Sequence, residues 1–363
     1  MDTLSAARAE IDAADKQMTA LFVARMEAVR TVLAYKKEHG LPILDAAREE
    51  AVVQKNLALL PENAADLRLY YEDFIRHNMA LSRAWQAKLR GADSVAYQGV
   101  PGAFSFIALK ALFPYAAAKS FAQFSEVFDA VESDVAAYGV LPFENSHAGD
   151  VAEVLDLCFA HAAVCVTQVY DLAVTQNLLC VPGACLADIK TVLSHPQALQ
   201  QSARFLKNLN VTQKEYPNTA AAAQFVAQTG DKSIAAIAAK ETADLYGLSV
   251  LAQDINESAD NTTRFIVIGK ELPVIGNRFC LLFTVEHTAG SLARVIQIIG
   301  AKGYNMECIK SRPMPQVSWE YYFYTELVGD VSGADALLAA LQTVCRSVRV
   351  LGVYNRTAKE KTV

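Results

Sequence analysis

The stretch AAYGVLPFENSHAG, residues 136–149, determines the class of the central part of the chain. Its apolar first part, residues 136–141, predicts a buried strand, and a polar cluster follows where that strand ends. A turn at the strand end would explain Pro142, Asn145 and Gly149, but it would not also require a glutamate, a serine and a histidine. Because the clefts of α/β folds collect ligands where strands end and loops begin, we interpret the cluster as part of a ligand site.

Short strand-like runs alternate with helical stretches on both sides of this stretch. The alternation predicts an α/β fold with a mostly parallel sheet, arranged either as one domain or as two lobes around a cleft. The predicted strands are Val95–Gln98, Ala136–Leu141, Val164–Tyr170, Thr191–Leu193, Ser233–Ile237 and Arg264–Ile268.

Three further polar clusters are expected at the ends of strands. Gly99–Ser105 is a glycine-bearing turn into a helix, which a plain strand-to-helix turn would also explain. Ser194–Gln201 contains His195, and a core histidine beside a serine helix cap is the alternative there. Asn261–Phe265 leads into the last strand, and an ion pair is the alternative role for its arginine.

Taken together, the four clusters resemble the prephenate dehydratase family across residues 94–270. The family's Pro-x-Glu-Asn-Ser, Ser-His-Pro-Gln and Thr-Arg-Phe signatures occur in the expected order, with Thr219–Ala223 and Tyr246–Leu248 between them. The resemblance implies a two-lobed α/β domain over residues 94–271. It also implies a reaction in which prephenate loses its ring hydroxyl as water and a carboxylate as CO2, with no cofactor and no metal.

The same resemblance assigns roles to individual residues. Thr263 is expected to act at the leaving hydroxyl, and Glu144 either orients Asn145 or takes part in proton transfer. The family usually carries histidine at Gln176, so the difference bears on a proton carrier at this position or on fine substrate choice. Arogenate in place of prephenate stays open as an alternative substrate. The implied substrate-binding residues are Ser105, Glu144, Asn145, Ser194, Gln201 and Arg264.

Residues 278–355 predict a β-α-β-β-α-β order, the split βαβ pattern of a ferredoxin-like module. Within it, GSLA (residues 290–293) joins a strand to a helix, where backbone N–H groups can bind a carboxylate. Together with KSRP (residues 310–313), this motif resembles the ACT domains fused to dehydratases, which bind phenylalanine between paired subunits. Lys310 stands where that family has glutamate.

The second resemblance implies an ACT domain over residues 277–356 with phenylalanine as its effector. A purely structural dimerisation module is the alternative. The implied effector-binding residues are Gly290, Ser291, Leu292, Ser311, Arg312 and Pro313.

The first 39 residues contain neither glycine nor proline, and their apolar positions follow helical spacing. A helix of some 35 residues would be about 50 Å long, and it could not bury its apolar stripe on a small domain without a partner helix. Asp45 predicts the start of a second helix, which Pro61 ends near Leu60, and a third helix is predicted from about Asp66 to Leu89. This segment is predicted to be all-α.

Basic residues of the long helix predict a pocket for an anion. Arg25 and Lys36 lie about 20° apart around the helix axis, whereas Arg8 lies about 100° from Arg25. We therefore expect Arg8 to serve the pocket of a partner chain. A solvated helix face is the alternative for any one of these residues. The second and third helices add the polar residues Asp45, Arg48, Glu49, Ser82 and Gln86.

The joint pattern resembles the all-helical chorismate mutases across residues 4–90, whose N-terminal arginine reaches into the neighbouring subunit's site. It implies a chorismate mutase over residues 1–91 that forms an intertwined helical dimer. Chorismate is a dicarboxylate that rearranges to prephenate in a pericyclic step, so catalysis requires holding the compact conformer and stabilising charge at the ether oxygen. The resemblance assigns the carboxylates to Arg8, Arg25 and Arg48, the ether oxygen to Lys36 and Gln86, the hydroxyl to Glu49 and Asp45, and a pocket position to Ser82.

Composition excludes several functional classes. With 53% hydrophobic and 20% charged residues, the chain has the balance of a soluble globular protein, and a net charge of -6 gives no electrostatic footprint for nucleic acid. We find no signal peptide and no apolar run that would span a membrane. Seven cysteines without CxxC spacing predict reduced core thiols in a cytoplasmic protein. The charged tail from Thr357 is expected to be mobile.

The leading hypothesis is a bifunctional enzyme of phenylalanine synthesis that is feedback-inhibited by phenylalanine and acts as a homodimer or a higher homo-oligomer. A dehydratase with a non-catalytic helical domain is the second hypothesis. A third is a non-catalytic solute-binding fold coupled to a sensor. Thr263 and Arg264 argue against the third, because binding alone requires no hydroxyl at a leaving group.

Overall fold

The computed structural model describes residues 3–39, 41, 43–90, 94–258, 260–314 and 317–356. The chain divides into two compact units, residues 1–93 and residues 94–363. The tail that was expected to be mobile from Thr357 lies outside the described residues. Among the residues that are described, no helix is both long and apolar enough to cross a membrane.

The first unit is all-helical, as predicted. Its helices are α1 (Thr3–Glu38), α2 (Ala46–Leu57) and α3 (Arg68–Arg90), and a short 3-10 helix, Glu62–Leu67, precedes α3. Asp45 caps α2, because its side chain accepts a 2.9 Å hydrogen bond from the Arg48 N–H.

The core of this unit is small. Val53, Leu57 and Met79 form it, and Leu33 is the one buried residue of α1. Leu21 and Phe22 remain 69% and 43% exposed. Within one copy of the described chain, the apolar stripe of α1 is therefore largely uncovered.

The second unit alternates strands and helices. Its strands are β1 (Ser94–Gln98), β2 (Ala117–Phe121), β3 (Tyr138–Asn145), β4 (Gly149–Asp150), β5 (Cys165–Ala173), β6 (Asn177–Cys180), β7 (Thr191–Ser194), β8 (Thr212–Glu215), β9 (Ile234–Ala238), β10 (Ser249–Ala252), β11 (Thr262–Gly269), β12 (Arg278–Thr284), β13 (Asn305–Pro313), β14 (Tyr321–Val328) and β15 (Ser347–Tyr354). Its helices are α4 (Phe104–Leu112), α5 (Phe124–Glu132), α6 (Ala152–Ala160), α7 (Pro196–Gln201), α8 (Ala203–Leu209), α9 (Thr219–Thr229), α10 (Lys240–Tyr246), α11 (Ser291–Ala301) and α12 (Asp335–Gln342).

Two sheets organise this unit. The larger has the order β13-β14-β12-β15-β5-β11-β3-β1-β2, with β4 beside β3, and the smaller has the order β10-β6-β9-β7-β8. Each sheet packs against its own apolar core. The chain crosses from β5 to β6 and returns from β10 to β11, so the central part of the chain forms two lobes.

The prediction of a mostly parallel sheet is wrong. β1 runs parallel to β2 and β3, but β11 runs antiparallel to both β3 and β5. The reason is that β11 enters the sheet from the second lobe rather than through a βαβ crossover, so its direction is reversed.

Four strands of the two lobes longer than two residues escaped prediction: β2, β6, β8 and β10. The residues of β8 are all exposed, and β2 has only exposed and half-buried residues. Both strands lie at sheet edges, where polar residues are common and the apolar signal of a strand is weak.

The C-terminal strands extend the sheet of the first lobe. Residues 278–354 follow the predicted β-α-β-β-α-β order, and β15 pairs in parallel with β5 through Gly352 and Val166. We call residues 278–354 the C-terminal module. Its Leu282 and Tyr322 belong to the same apolar core as residues of the first lobe.

Gly352 should be required where β15 meets β5. A Cβ at this position would lie 2.5 Å from the backbone oxygen of Val166, so Gly352→Ala must push the strands apart. We expect the free energy of unfolding of the second unit to fall by about 1–3 kcal/mol, measured by urea denaturation. Gly300→Ala is the control, because a Cβ there meets no atom within 4 Å. A Gly352→Ala protein of unchanged stability would contradict this close approach.

Candidate active sites

The helical unit contains a cavity of about 150 Å³. Its walls come from all three helices and from the segment between α1 and α2. Apolar side chains such as Val29 and Met79 contribute to the wall, and eight of its twelve lining residues are polar or charged. Seven of the eight residues predicted for this site line the cavity, namely Arg25, Lys36, Asp45, Arg48, Glu49, Ser82 and Gln86.

Hydrogen bonds hold several of these side chains in place. Arg25 donates to Ser82 Oγ and, at 3.3 Å, to the Asn78 carbonyl. Lys36 Nζ donates at 2.6 Å to the Ile43 carbonyl. Burial lowers the pKa of Arg25, and the nearby carboxylate of Glu49 acts in the opposite direction.

Gln86 carries unused hydrogen-bonding capacity. It is 6% exposed, its Nε2 donates at 3.3 Å to the Ser82 carbonyl, and its Oε1 has no hydrogen-bond partner among the described residues. A buried amide atom without a partner carries a desolvation cost that a ligand can relieve. The side chain is therefore placed to bind something in the cavity.

Arg83 is a cavity residue that the sequence reasoning missed. It lies next to Ser82 on α3, and its guanidinium forms an ion pair with the carboxylate of Glu49. Its position three residues before Gln86 places both on one face of α3, and this spacing is the signal that could have found it. Arg83 adds a fourth cation to the cavity lining.

Arg8 is not part of this cavity. It lies 17 residues before Arg25, which corresponds to about 25 Å along α1, and its side chain is exposed. The structure of one copy therefore leaves Arg8 outside the site formed by its own chain.

In the second unit, antiparallel pairing brings two predicted clusters together. Thr263 pairs with Asn145, and Arg264 pairs with Glu144, at the ends of β11 and β3. Because successive side chains of a strand point to opposite faces, the two pairs face opposite sides of the sheet.

The hydrogen bonds of Asn145 determine whether the Thr263 hydroxyl accepts or donates toward it. Its Oδ1 accepts from the N–H groups of His147 and Ala148, at 3.0 and 2.9 Å, so its Nδ2 must be the donor on the other side. Nδ2 donates at 2.9 Å to Thr263 Oγ1 and at 2.8 Å to Asn261 Oδ1. The hydroxyl proton of Thr263 is therefore left to donate to a ligand.

Side-chain amides link this pair to the second lobe. Asn261 Nδ2 and Gln176 Nε2 donate to Gln201 Oε1, at 3.2 and 3.3 Å. Gln176 is 2% exposed, and its Oε1 has no partner among the described side chains and backbone groups. The chain of amides therefore runs from α7 of one lobe to β3 and β11 of the other.

Arg264 forms the ion pairs that were the alternative to substrate binding. Its Nε lies 3.1 Å from Asp171 Oδ1 and its Nη1 lies 3.3 Å from Glu144 Oε2. Burial would lower the pKa of Arg264, but the carboxylates of Asp171, Glu326 and Glu144 outweigh it and raise that pKa. Arg264 and Glu144 are thus not brought to the face that carries Thr263.

The remaining predicted residues of the lobes are buried. Ser105 is on the first turn of α4, and Ser194 is fully buried and donates at 2.7 Å to the Ile237 carbonyl. His195, rather than Ser194, caps α7, with its Nδ1 placed 3.3 Å from the Gln197 N–H.

The predicted effector-binding residues lie on two elements of the C-terminal module. Gly290 adopts a φ of 82° just before α11, and Leu292 follows on that helix. Ser311 and Pro313 are on β13 with Arg312, which binds both carboxylate oxygens of Asp156 on α6, at 3.0 and 2.6 Å. Arg312 lowers the pKa of Asp156, and the hydroxyl of Tyr322 acts in the same direction.

The hydroxyl of Ser291 lies 2.8 Å from Thr288 Oγ1 and accepts from Arg294 Nη2 at 3.3 Å. The Ser291 hydroxyl, which lies next to the glycine turn, is therefore already hydrogen-bonded to side chains of the module itself.

Two family descriptions match the chain. "Prephenate dehydratase" matches residues 95–273, and "Chorismate mutase type II" matches residues 7–87. The two matches cover the second unit up to the C-terminal module and most of the helical unit.

Curated relatives carry one or both of these descriptions. An arogenate dehydratase/prephenate dehydratase of Arabidopsis thaliana is 33% identical over 288 residues, which cover 73% of this chain and 73% of the relative. The bifunctional chorismate mutase/prephenate dehydratase of Escherichia coli is 28% identical over 374 residues, covering 97% of this chain and 96% of the relative.

Solved structures match about three quarters of the chain. A prephenate dehydratase from Arthrobacter aurescens in complex with L-Phe is 26% identical, with a TM-score of 0.66 over 74% of this chain and 92% of that one. GqqA, described as a quorum quenching acylase, is 28% identical, with a TM-score of 0.68 over 73% of this chain and 98% of that one.

Asn145→Asp should reverse the direction of the hydrogen bond between residue 145 and Thr263. Aspartate keeps the oxygen that accepts from two backbone N–H groups, but it removes the donor to Thr263 Oγ1 and to Asn261 Oδ1. We expect the free energy of unfolding to fall by about 1–3 kcal/mol, measured by urea denaturation. Asn208→Asp, at an exposed position, is the control and should change stability by no more than about 0.5 kcal/mol. Equal stability of the two variants would show that the Asn145 amide is not a donor.

Proposed function

The chain belongs to the family of bifunctional chorismate mutase/prephenate dehydratases of phenylalanine synthesis, and from this premise we propose how its parts divide the two reactions. The helical unit rearranges chorismate to prephenate, and the two lobes convert prephenate to phenylpyruvate. We place the domains at residues 1–91, 94–271 and 277–356. Two observations carry the proposal. Seven of the eight residues predicted for the mutase site line one cavity, and hydrogen bonds through Asn261 join Thr263 and Asn145 to Gln201 between the two lobes.

The charge of the helical cavity suits a dianion. Arg25, Lys36, Arg48 and Arg83 outnumber the two carboxylates of Asp45 and Glu49 in the lining. Guanidinium groups bind the carboxylates of chorismate. Lys36 and the N–H of Gln86 Nε2 that is not bound to Ser82 donate to the ether oxygen, where negative charge develops. Glu49, oriented by Arg83, binds the hydroxyl together with Asp45. No group has to take or give a proton, because the rearrangement is pericyclic.

A second copy of the chain completes the cavity in this proposal. The uncovered apolar stripe of α1 supports a helical dimer, since burying Leu21 and Phe22 against a partner helix removes apolar surface from water. Arg8 lies too far from the cavity of its own chain, and in the dimer it reaches the cavity of the partner chain.

Thr263 acts at the leaving hydroxyl of prephenate. Because Asn145 donates to Thr263 Oγ1, the threonine proton points to the substrate and is donated to the hydroxyl as it leaves as water. A solvent water returns a proton to Thr263 Oγ1, so that one proton from solvent is consumed in each turnover. The bond to the departing carboxylate breaks at the same time, CO2 is released, and its electron pair completes the aromatic ring. Ser105 and Gln201 are the proposed anchors on either side, and Arg264 and Glu144 have no contact with substrate in this scheme.

The description of GqqA as an acylase implies acyl transfer for that protein. The structure of this chain supports acyl transfer less well than dehydration. Acyl transfer requires a base within hydrogen-bond reach of the nucleophile. The described side-chain partner of Thr263 Oγ1 is the Asn145 amide, which cannot accept a proton.

The C-terminal module has the strand order of a ferredoxin-like ACT domain, and we propose that it binds phenylalanine and inhibits the dehydratase. Residues 290–292 and residues 311–313 lie at the same end of the module, because β12 and β13 run in the same direction on either side of β14. The helix N-terminus after Gly290 offers backbone N–H groups to the amino-acid carboxylate. The similarity to a prephenate dehydratase solved with L-Phe supports this effector.

Two variants should separate the reactions. Arg25→Ala should lower chorismate turnover by at least about 100-fold, because an arginine that binds a substrate carboxylate and holds the reactive conformer is lost, while turnover of supplied prephenate stays within twofold. Thr263→Val should do the reverse. Prephenate and phenylpyruvate are measured separately, with Lys16→Ala on the exposed face of α1 as control. If either variant lost both activities while remaining folded, the assignment of separate sites would be wrong.

Arg83→Met should lower mutase turnover by about 10- to 100-fold, because it removes a charged hydrogen bond that orients Glu49. Arg76→Met is the matched control, since Arg76 also lies on α3 but pairs with Glu50 and Glu72, which do not line the cavity. Equal activity of the two variants would remove Arg83 from the mechanism.

A further inference from the structure

The back of the catalytic strand pair carries a network of charges. On the face opposite Thr263 and Asn145, the guanidinium of Arg264 contacts Asp171 of β5 and Glu144 of β3. A third carboxylate, Glu326, comes from β14 of the C-terminal module, with its Oε2 3.9 Å from Arg264 Nη1.

Glu326 is buried to an unusual degree for a carboxylate. Its side chain is 3% exposed, and its other oxygen lies 3.5 Å from Nη1 of Arg356. Arg356 also reaches Asp171, with Nη2 3.5 Å from Oδ2. Glu326 therefore stands between two arginines that share Asp171, and without its charge these cations would repel each other across a site of low dielectric.

A second residue of the module reaches Glu144 directly. Lys310 of β13 forms an ion pair with Asp150, and its Nζ lies 3.4 Å from Glu144 Oε1 and 5.0 Å from the centre of the Phe143 ring. Both members of the Glu144–Arg264 pair are thus held from outside the two lobes.

Alternation along the strands connects this network to the chemistry. Arg264 is the residue after Thr263, and Glu144 is the residue before Asn145. A shift of either charged side chain moves the backbone that carries the hydroxyl and the amide on the other face. Displacement of a reacting group by 1 Å can cost about 100-fold in rate.

We propose that Glu326 and Lys310 are positioning residues of the dehydratase reaction, so that the C-terminal module sets the placement of Thr263 and Asn145 through the Arg264–Glu144 pair. The inference rests on the proposed role of Thr263. It gives the module a part in catalysis that does not depend on a bound effector, and it supplies a physical route by which an effector would act.

The test compares Glu326→Gln with Glu320→Gln in the full chain. Glu320 is a carboxylate of the same module that pairs with Arg346 of that module, so its loss should leave both activities unchanged. For Glu326→Gln we expect kcat for prephenate to fall by about 10- to 100-fold with KM within twofold. Mutase turnover should remain within twofold, and urea denaturation of the second unit reports whether the variant is folded.

If Glu326→Gln does not fold, exchanging the charges of Lys310 and Asp150 tests the same inference. Lys310→Glu should lower kcat, because it sets a third negative charge beside Glu144 and Asp150. Adding Asp150→Lys should restore at least half of the lost rate by reforming the pair in reverse, which general loss of stability would not allow.

Unchanged kcat in folded Glu326→Gln, or no recovery in the double variant, would overturn the inference. Thr263→Val distinguishes this result from failure of the proposed function. If Thr263→Val is inactive while Glu326→Gln is fully active, only the positioning role is wrong. If Thr263→Val itself dehydrates prephenate normally, the proposed site is wrong and the inference is overturned with it.

Discussion

The antiparallel pairing of β11 with β3 is the constraint on which the second unit depends. One register places Thr263 opposite Asn145 and Arg264 opposite Glu144. A slip of one residue would turn the hydroxyl to the face that now carries the charges. The two faces of one strand pair thus serve different purposes, with neutral hydrogen-bonding groups on one side and ion pairs on the other.

The two sites use different physical means. The helical cavity gathers an excess of cations from three helices, and burial strengthens their attraction for a dianion while it lowers the pKa of Arg25. The pair Thr263–Asn145 carries no charge. Two backbone N–H groups fix the orientation of the Asn145 amide, and the amide fixes the direction in which the Thr263 hydroxyl donates its hydrogen bond. The helical cavity thus discriminates between ligands by their charge, whereas the Thr263–Asn145 pair discriminates by the position of the group that accepts its hydrogen bond.

Local sequence patterns predicted much of this structure. The absence of glycine and proline predicted α1, and Asp45 predicted the cap of α2. The resemblance to chorismate mutases named eight pocket residues, of which seven line one cavity. The β-α-β-β-α-β order was also predicted, because each of its elements has a clear period. Strand direction was not, since the reversal of β11 depends on a path through a second lobe that no local pattern records. Edge strands such as β8 carried no apolar signal. Nothing in the sequence distinguished Arg83 or Glu326, and Lys310 was noted only as a departure from the ACT motif, because their partners lie on distant elements.

The joining of β15 to β5 has a consequence for how such enzymes can be assembled by gene fusion. The strands meet where Gly352 lets one backbone approach another, and the first lobe and the C-terminal module share a single apolar core. A C-terminal segment transplanted from a related protein would have to bring a glycine to that crossing and charges that match the lobe beneath. The dehydratase and the segment that follows it should therefore be inherited together, and chimaeras made by exchanging that segment alone should be recovered only between close homologues.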